Sequence, residues 1–193
     1  MSIISIQRLA SATVAVLALA FASGCATKAP SYNANIENVG LLKKSGAEPV
    51  SGINITVAPG LSGAAELGVR ASTLLSPVGS NFADYVSDAL KRELELAKLI
   101  NPQSPLNITG ELLKNEIDAS GFSVGKGSIS ARIVVKNGST VRFDKVKSAD
   151  ITWESSFVGA VAIPKAIESY PELVQKLVTH LINDPEFTAA LRK

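Results

Sequence analysis

Strict alternation of apolar and polar side chains first appears at Ile53-Asn54-Ile55-Thr56-Val57, after a Ser51-Gly52 break. It predicts a strand that Pro59-Gly60 ends. Leu61–Ser80 follows, rich in Gly, Ser and small apolar residues, with room for a short helix over Ala64–Leu67 or an extra strand over Ser72–Leu75. Connections this long inside compact domains are usually functional or disordered. The period then changes to that of a helix. From Asn81 to about Lys98, Phe82, Tyr85, Val86, Ala89, Leu90, Leu96 and Ala97 share one face, with Asn81 as N-cap and Asp84 near the N-terminal dipole. Glu93 falls inside that apolar arc. Its expected place is past the edge of the sheet, where the carboxylate reaches water.

After a turn over Asn101–Pro105, alternation resumes at Leu106, shifts phase at Leu113 and runs on to Ile117, which predicts a strand with a bulge near Leu112-Leu113. Ile129, Ala131, Ile133 and Val135 form the apolar side of the next strand. Val141, Phe143, Ile151, Trp153 and Phe157 form that of the one after. A two-residue Asn137-Gly138 turn would set Ile133 opposite Arg142, yet paired residues must point to the same face. A three-residue loop, Lys136-Asn137-Gly138, instead pairs Ile133 with Val141 and Ala131 with Phe143, and sets Arg132 opposite Arg142 on the outward face. Ile163, Ala166, Ile167, Tyr170, Leu173, Val174, Leu177, Val178 and Leu181 then hold one helical phase. They predict a helix from Pro164 to about Ile182, kinked at Pro171. Asp184-Pro185 caps a short final helix. The expected fold class is α+β: a β-α-β-β-β-α sandwich, with two main helices on one face of a mostly antiparallel sheet.

The N-terminus changes the picture most. Arg8 is the only charged residue before Cys25, and Val14–Phe21 is an apolar run too short for a comfortable membrane span. Leu19-Ala20-Phe21-Ala22-Ser23-Gly24-Cys25 resembles the lipobox of bacterial lipoproteins, with Ala22 where those usually carry leucine. The resemblance implies diacylglyceryl transfer to the Cys25 thiol, cleavage before Cys25 and acylation of the new amino group. Three acyl chains make attachment effectively permanent, at about 0.8 kcal/mol per buried methylene. Ala26, rather than Asp, follows the cysteine, which in Gram-negative lipoproteins resembles the outer-membrane default. The expected organisation is a signal peptide over 1–24, a lipidated N-terminus and flexible tether over 25–35, and one periplasm-facing domain over 36–193.

Composition adds limits. Cys25 is the single cysteine, so no disulfide is expected, and with one histidine no transition-metal site or cofactor is expected either. The net charge of +2 falls by one when Arg8 is removed and gives no global field for nucleic acid.

Three constellations carry candidate chemistry. Gly121-Phe122-Ser123-Val124-Gly125 matches G-x-S-x-G, followed by Asp144, Asp150 and His180 in hydrolase order. That motif needs a strand before it and a helix after it, whereas strands are expected on both sides, so no catalytic residue and no enzyme activity is expected. Gly125-Lys126-Gly127-Ser128 misses the phosphate-loop pattern, because serine stands at position 120 and Gly127 follows Lys126. From Lys126 to Lys147 there are six basic residues and one acid. Arg132, Lys136, Arg142 and Lys145 form the expected ligand-binding face, suited to anionic lipid, glycan or an acidic protein.

The lipobox, the element order from Asn81 to Phe157 and the Asp184-Pro185-Glu186-Phe187 cap together resemble the small YajG-type lipoproteins of proteobacteria and, more loosely, lipopolysaccharide-assembly lipoproteins. The resemblance implies a lipid-anchored outer-membrane protein with a non-enzymatic role: a membrane contact through Cys25 and an envelope protein as partner, in assembly, transport or maintenance.

Overall fold

The computed structural model describes residues 25–192. The expected signal peptide, and with it the lipobox before Cys25, lies outside the described residues. The element order is β1 (Cys25–Lys28), α1 (Ile36–Lys44), β2 (Ile53–Val57), β3 (Glu66–Val69), β4 (Ser72–Leu75), α2 (Phe82–Leu96), β5 (Leu106–Asp118), β6 (Val124–Asn137), β7 (Thr140–Glu154), α3 (Gly159–Ile182) and α4 (Pro185–Ala190). The main sheet runs β2-β5-β6-β7, parallel between β2 and β5 and antiparallel elsewhere. The expected β-α-β-β-β-α order is therefore its frame, with α2 and α3 packed together against one face.

Alternation decides that face. Ile108, Leu112, Ile129, Ala131, Ile133 and Val135 are buried against the helices. Their neighbours Asn54, Thr56, Thr109, Glu111, Arg132 and Lys136 line the opposite face, which no helix among the described residues covers. Tyr170 of α3 meets Phe82 and Tyr85 of α2, with ring centroids 4.7 and 5.5 Å apart. The bulge falls where expected, with Leu113 as the extra residue between Leu112 and Lys114. Asn81 caps α2, its Oδ1 accepting from the Ala83 and Asp84 amides. α3 starts at Gly159, earlier than expected, and runs on through both Pro164 and Pro171.

Several expectations give way. The Leu61–Ser80 stretch holds the expected strand over Ser72–Leu75, but Glu66–Val69 is a strand rather than a helix and pairs with it as a hairpin. In α2, Leu94 is buried while Leu96 is exposed. The β6–β7 loop has two residues, Gly138-Ser139, between the paired Asn137 and Thr140. Gly138 has φ +56°, and glycine at the first central position suits a tight hairpin turn. Val135 pairs with Phe143 and Lys136 with Val141, so Arg142 is the extra residue of a bulge. Matched parity across a hairpin requires an unbroken ladder, and this bulge restores parity by another route. It turns Val141 outward and sets Arg132 opposite Val146 instead of Arg142. Phe157 lies beyond the end of β7 and is exposed.

The largest correction concerns 25–35. β1 pairs in parallel with β4, from Cys25–Ser72 to Lys28–Leu75. The Ala29 amide donates to Leu75 O, and Tyr85 Oη donates to Pro30 O. Tyr32 is buried, and its hydroxyl donates to Glu93 Oε1 at 2.6 Å. The same oxygen accepts from the Asn35 amide at 2.9 Å and from Asn38 Nδ2 at 3.3 Å. Glu93 is thus fully buried rather than at a wet edge. The segment that composition marks as a tether supplies two of its three hydrogen-bond donors, since a buried carboxylate needs them. Burial, and next the bond to Glu93, push the Tyr32 phenol well above its ordinary range. α1 follows, with Asn35 as its N-cap and Asn38 also reaching Thr179 Oγ1 of α3. Apolar periodicity does not announce this helix, because only Val39 and Leu42 among its apolar side chains are buried.

Candidate functional site

Four basic residues were expected on one face, and the fold distributes them. Arg132 and Lys136 point from β6 to the open side of the sheet. There they line a shallow concavity of about 350 Å³ with Asn54, Thr56, Thr109 and Asp144. Arg132 is occupied: Nε and Nη2 donate to the two carboxylate oxygens of Asp144 at 2.7 and 2.6 Å. This pair holds the Asp144 carboxyl below its ordinary range. Both side chains are exposed, so its worth in stability is small. Arg142, on the bulge, lines a separate hollow with Glu48, Asn101 and Arg192. Lys145 pairs with Ile133 and so points to the helix side, where it meets Glu186 at 2.7 Å and Asp184 at 3.4 Å. Arg132 and Lys136 therefore share a surface, while Arg142 and Lys145 face elsewhere.

Asp184 anchors that second cluster. Its Oδ1 accepts from the Glu186 amide and caps α4, while Oδ2 accepts from Lys147 Nζ at 2.8 Å. Lys147 first, and then the Glu186 amide and Lys145, lower its pKa from 3.8 to about 2. A lowered carboxyl pKa means that the unfolded chain binds more protons. The resulting stability is present above about pH 4 and is lost as the pH falls toward 2. Asp184→Asn keeps the cap and removes the charge. Its deficit against the parent in urea unfolding is therefore expected to be constant above pH 5 and to shrink between pH 4 and 2.

The hydrolase-like constellation is not assembled. Ser123 is exposed in the loop from strand β5 to strand β6. Asp144 pairs with Arg132, Asp150 accepts from Ser128 Oγ, and His180 Nδ1 lies 2.8 Å from Ser148 O. Gly125-Lys126-Gly127-Ser128 lies within β6 and forms no loop. Gly125 sits under the Trp153 indole, where a Cβ would overlap the ring.

A second surface had no counterpart in the pattern. Arg70 occupies the β3–β4 turn with φ +54°. Its Nε donates to Ala119 O at 2.6 Å, Nη1 to Phe157 O at 2.9 Å, and Nη2 to Ser156 O at 2.6 Å and Gly121 O at 3.2 Å. It joins the β5–β6 and β7–α3 loops at one end of the sheet. There the rings of Phe122 and Phe157 stack, with centroids 5.4 Å apart and planes 7° apart, and stand 73% and 72% exposed. Aromatic residues beside Gly and Ser are the only sequence signal for this surface; nothing local marks Arg70.

Two facing helices on a mostly antiparallel sheet, with a short C-terminal helix, define an α+β class. The fold resembles that of protein XCC0632 from Xanthomonas campestris, of the family described as DUF330, with a TM-score of 0.54 and 13% identity over 85% of this chain and 96% of that one. The hypothetical protein CT253 from Chlamydia trachomatis aligns with a TM-score of 0.36 and 11% identity, over 69% of this chain and 97% of its own. No protein-family model and no curated protein matches the sequence.

Proposed function

We propose that this chain is a lipid-anchored, periplasm-facing lipoprotein of the bacterial outer membrane, of the YajG-like kind, which binds an envelope protein without catalysing a reaction. The observation that carries the reading is the position of Cys25. The cysteine that closes the lipobox-like run is also the first residue of β1. Lipid on it would seat the domain directly on the bilayer instead of trailing it on a leash. The helices already fill one side of the main sheet, so the uncovered side with Asn54, Thr56, Thr109, Arg132 and Lys136 is the surface left to a partner. With Arg132 spent on Asp144, and with Arg142 and Lys145 facing elsewhere, this surface has too little spare positive charge to favour an anionic lipid or glycan over a protein.

Two measurements in growing cells test the reading. Labelled palmitate is expected to enter the parent protein and to be absent from Cys25→Ser. A photo-crosslinking side chain at Thr109 is expected to trap one reproducible envelope protein, and the same group at Glu172, on α3, is not. Label retained in Cys25→Ser would remove the anchor, and equal trapping from both positions would remove the open face as the partner surface.

A further inference from the structure

Ten large apolar side chains stand exposed among the described residues, and five of them gather at one end. Phe122, Val124, Phe157, Val158 and Val161 all belong to the end of the sheet that Arg70 ties together, and all are more than 40% exposed. Val124 pairs with Glu154 at the ends of β6 and β7, the Ser155 amide donates to Ser123 O, and the Val161 amide donates to Val158 O in the first turn of α3. The Phe122–Phe157 stack and the three valines therefore sit on connected backbone at this one end. Contiguous apolar patches on a folded surface mark contacts with a partner or a membrane.

We infer that this aromatic end, with Phe122 and Phe157 at its tip, rests in the interfacial layer of the bilayer that holds the Cys25 lipid. The inference rests on the anchored reading of Cys25. Three observations choose a bilayer over another occupant. The first is where the chain enters the fold. Cys25 pairs with Ser72, and Arg70 stands two residues before Ser72, so Cys25 lies at the end where Arg70 grips both aromatic loops. β1 then leads away from that end alongside β4. The second is the state of the loop backbone. Backbone carbonyls are costly in an apolar layer unless bonded. Arg70 alone bonds four of them: Ala119, Gly121, Ser156 and Phe157. The loops thus present rings outward while their carbonyls are satisfied from within. The third is continuity. A mostly apolar cavity of about 570 Å³ opens beside β1 between Thr27, Ala71, Ile163, Pro164 and Ile167, with Glu168 also on its wall. It carries apolar surface from the early turns of α3 to the strand that Cys25 opens.

The consequence is a fixed orientation. Two contacts, the acyl chains and the aromatic tip, hold one end of the main sheet to the bilayer. The β6–β7 turn at Gly138-Ser139 then points away from the membrane, and the open face stands roughly upright.

The test uses the full chain, expressed and processed in cells, purified and reconstituted into vesicles of phosphatidylethanolamine and phosphatidylglycerol with brominated acyl chains. Phe157→Trp reports from the tip and Val141→Trp from the far turn, each in a Trp153→Phe background. The mass of the N-terminal peptide is measured on the same preparation. The expected result is an acylated Cys25, a blue-shifted indole at 157 quenched at least twofold by the brominated lipid, and an unquenched indole at 141. An acylated protein whose indole at 157 is not quenched overturns the inference and leaves the anchor standing. A blue shift at 157 without bromine quenching also overturns it, since a protein surface or a second copy then covers the patch. Quenching at 157 in a protein without acyl chains supports the membrane contact and removes the anchor, and neither signal removes both.

Discussion

Replacing Glu93 with alanine is expected to lower the unfolding free energy by about 3–5 kcal/mol and to release the N-terminal segment from the domain. One oxygen of this fully buried carboxylate accepts from Tyr32 Oη, the Asn35 amide and Asn38 Nδ2. Alanine leaves those donors facing a cavity, and each buried donor without a partner costs about 1–3 kcal/mol. Water entering the space offsets part of the sum. Glu93→Gln keeps an acceptor at the same reach, so its loss is expected to be smaller, about 1–2 kcal/mol. Spatial order matters as much as magnitude here. All three donors come from residues 32–38, so proteolysis of Glu93→Ala under native conditions is expected to cut first at Lys28, Lys43 or Lys44. Urea unfolding and the identity of the first fragments check this. A loss below 1 kcal/mol with unchanged cleavage sites would show that β1 and α1 hold to the domain by other means.

Tyr170→Ala is expected to cost about 3–5 kcal/mol, the range for deleting a buried aromatic ring. The ring is fully buried between Phe82, Tyr85 and the sheet. Its hydroxyl donates to Asn115 Oδ1 at 2.9 Å, and Asn115 Nδ2 donates onward to Gly63 O at 2.9 Å. One side chain therefore links α3 to α2, to β5 and to the Leu61–Ser80 segment. Tyr170→Phe keeps the ring and orphans the Asn115 oxygen, so about 1–3 kcal/mol is expected from the hydroxyl alone. Amide exchange separates the two effects. Tyr170→Phe is expected to speed exchange around Gly63 while leaving α2 protected, whereas Tyr170→Ala speeds both. Equal stability of Tyr170→Phe and the parent would mean that the Asn115 bridge contributes nothing.

These two sites also mark where pattern reading reaches and where it stops. Tyr170 sits on the apolar stripe of α3, and the stripe alone places it in the core. Its hydroxyl partner is 55 residues away and leaves no local trace. Glu93 sits equally on an apolar stripe, and the general rule that charges reach water sent it to the wrong place. What holds it inside is a set of donors from 32–38, two of them in the 25–35 stretch, whose Ser, Tyr and Asn content reads as a linker. Ala29 and Tyr32 are the only buried apolar side chains described in 25–35, too few to produce a period. The order and facing of the long elements were legible because alternation over β5 to β7 and the 3.6-residue period of α2 and α3 extend over many residues. Hairpin register was not, because a single bulged residue, Arg142, shifts every pairing beyond it. That shift is what separates Arg142 from Arg132 and dissolves the expected four-residue basic cluster. The aromatic end is assembled by Arg70 from three separate connections, and no window of sequence contains it.

The account turns on Cys25. Its amino-terminal neighbours resemble a lipobox, and the strand that it opens belongs to the fold, so a lipid on Cys25 would join bilayer and domain at one residue. Mass spectrometry of the intact mature protein from its native membrane tests this most directly. The account predicts a chain that begins at Cys25 and carries a diacylglyceryl group on sulfur and a third acyl chain on the amino group. A chain that begins elsewhere, or an unmodified Cys25, would contradict it.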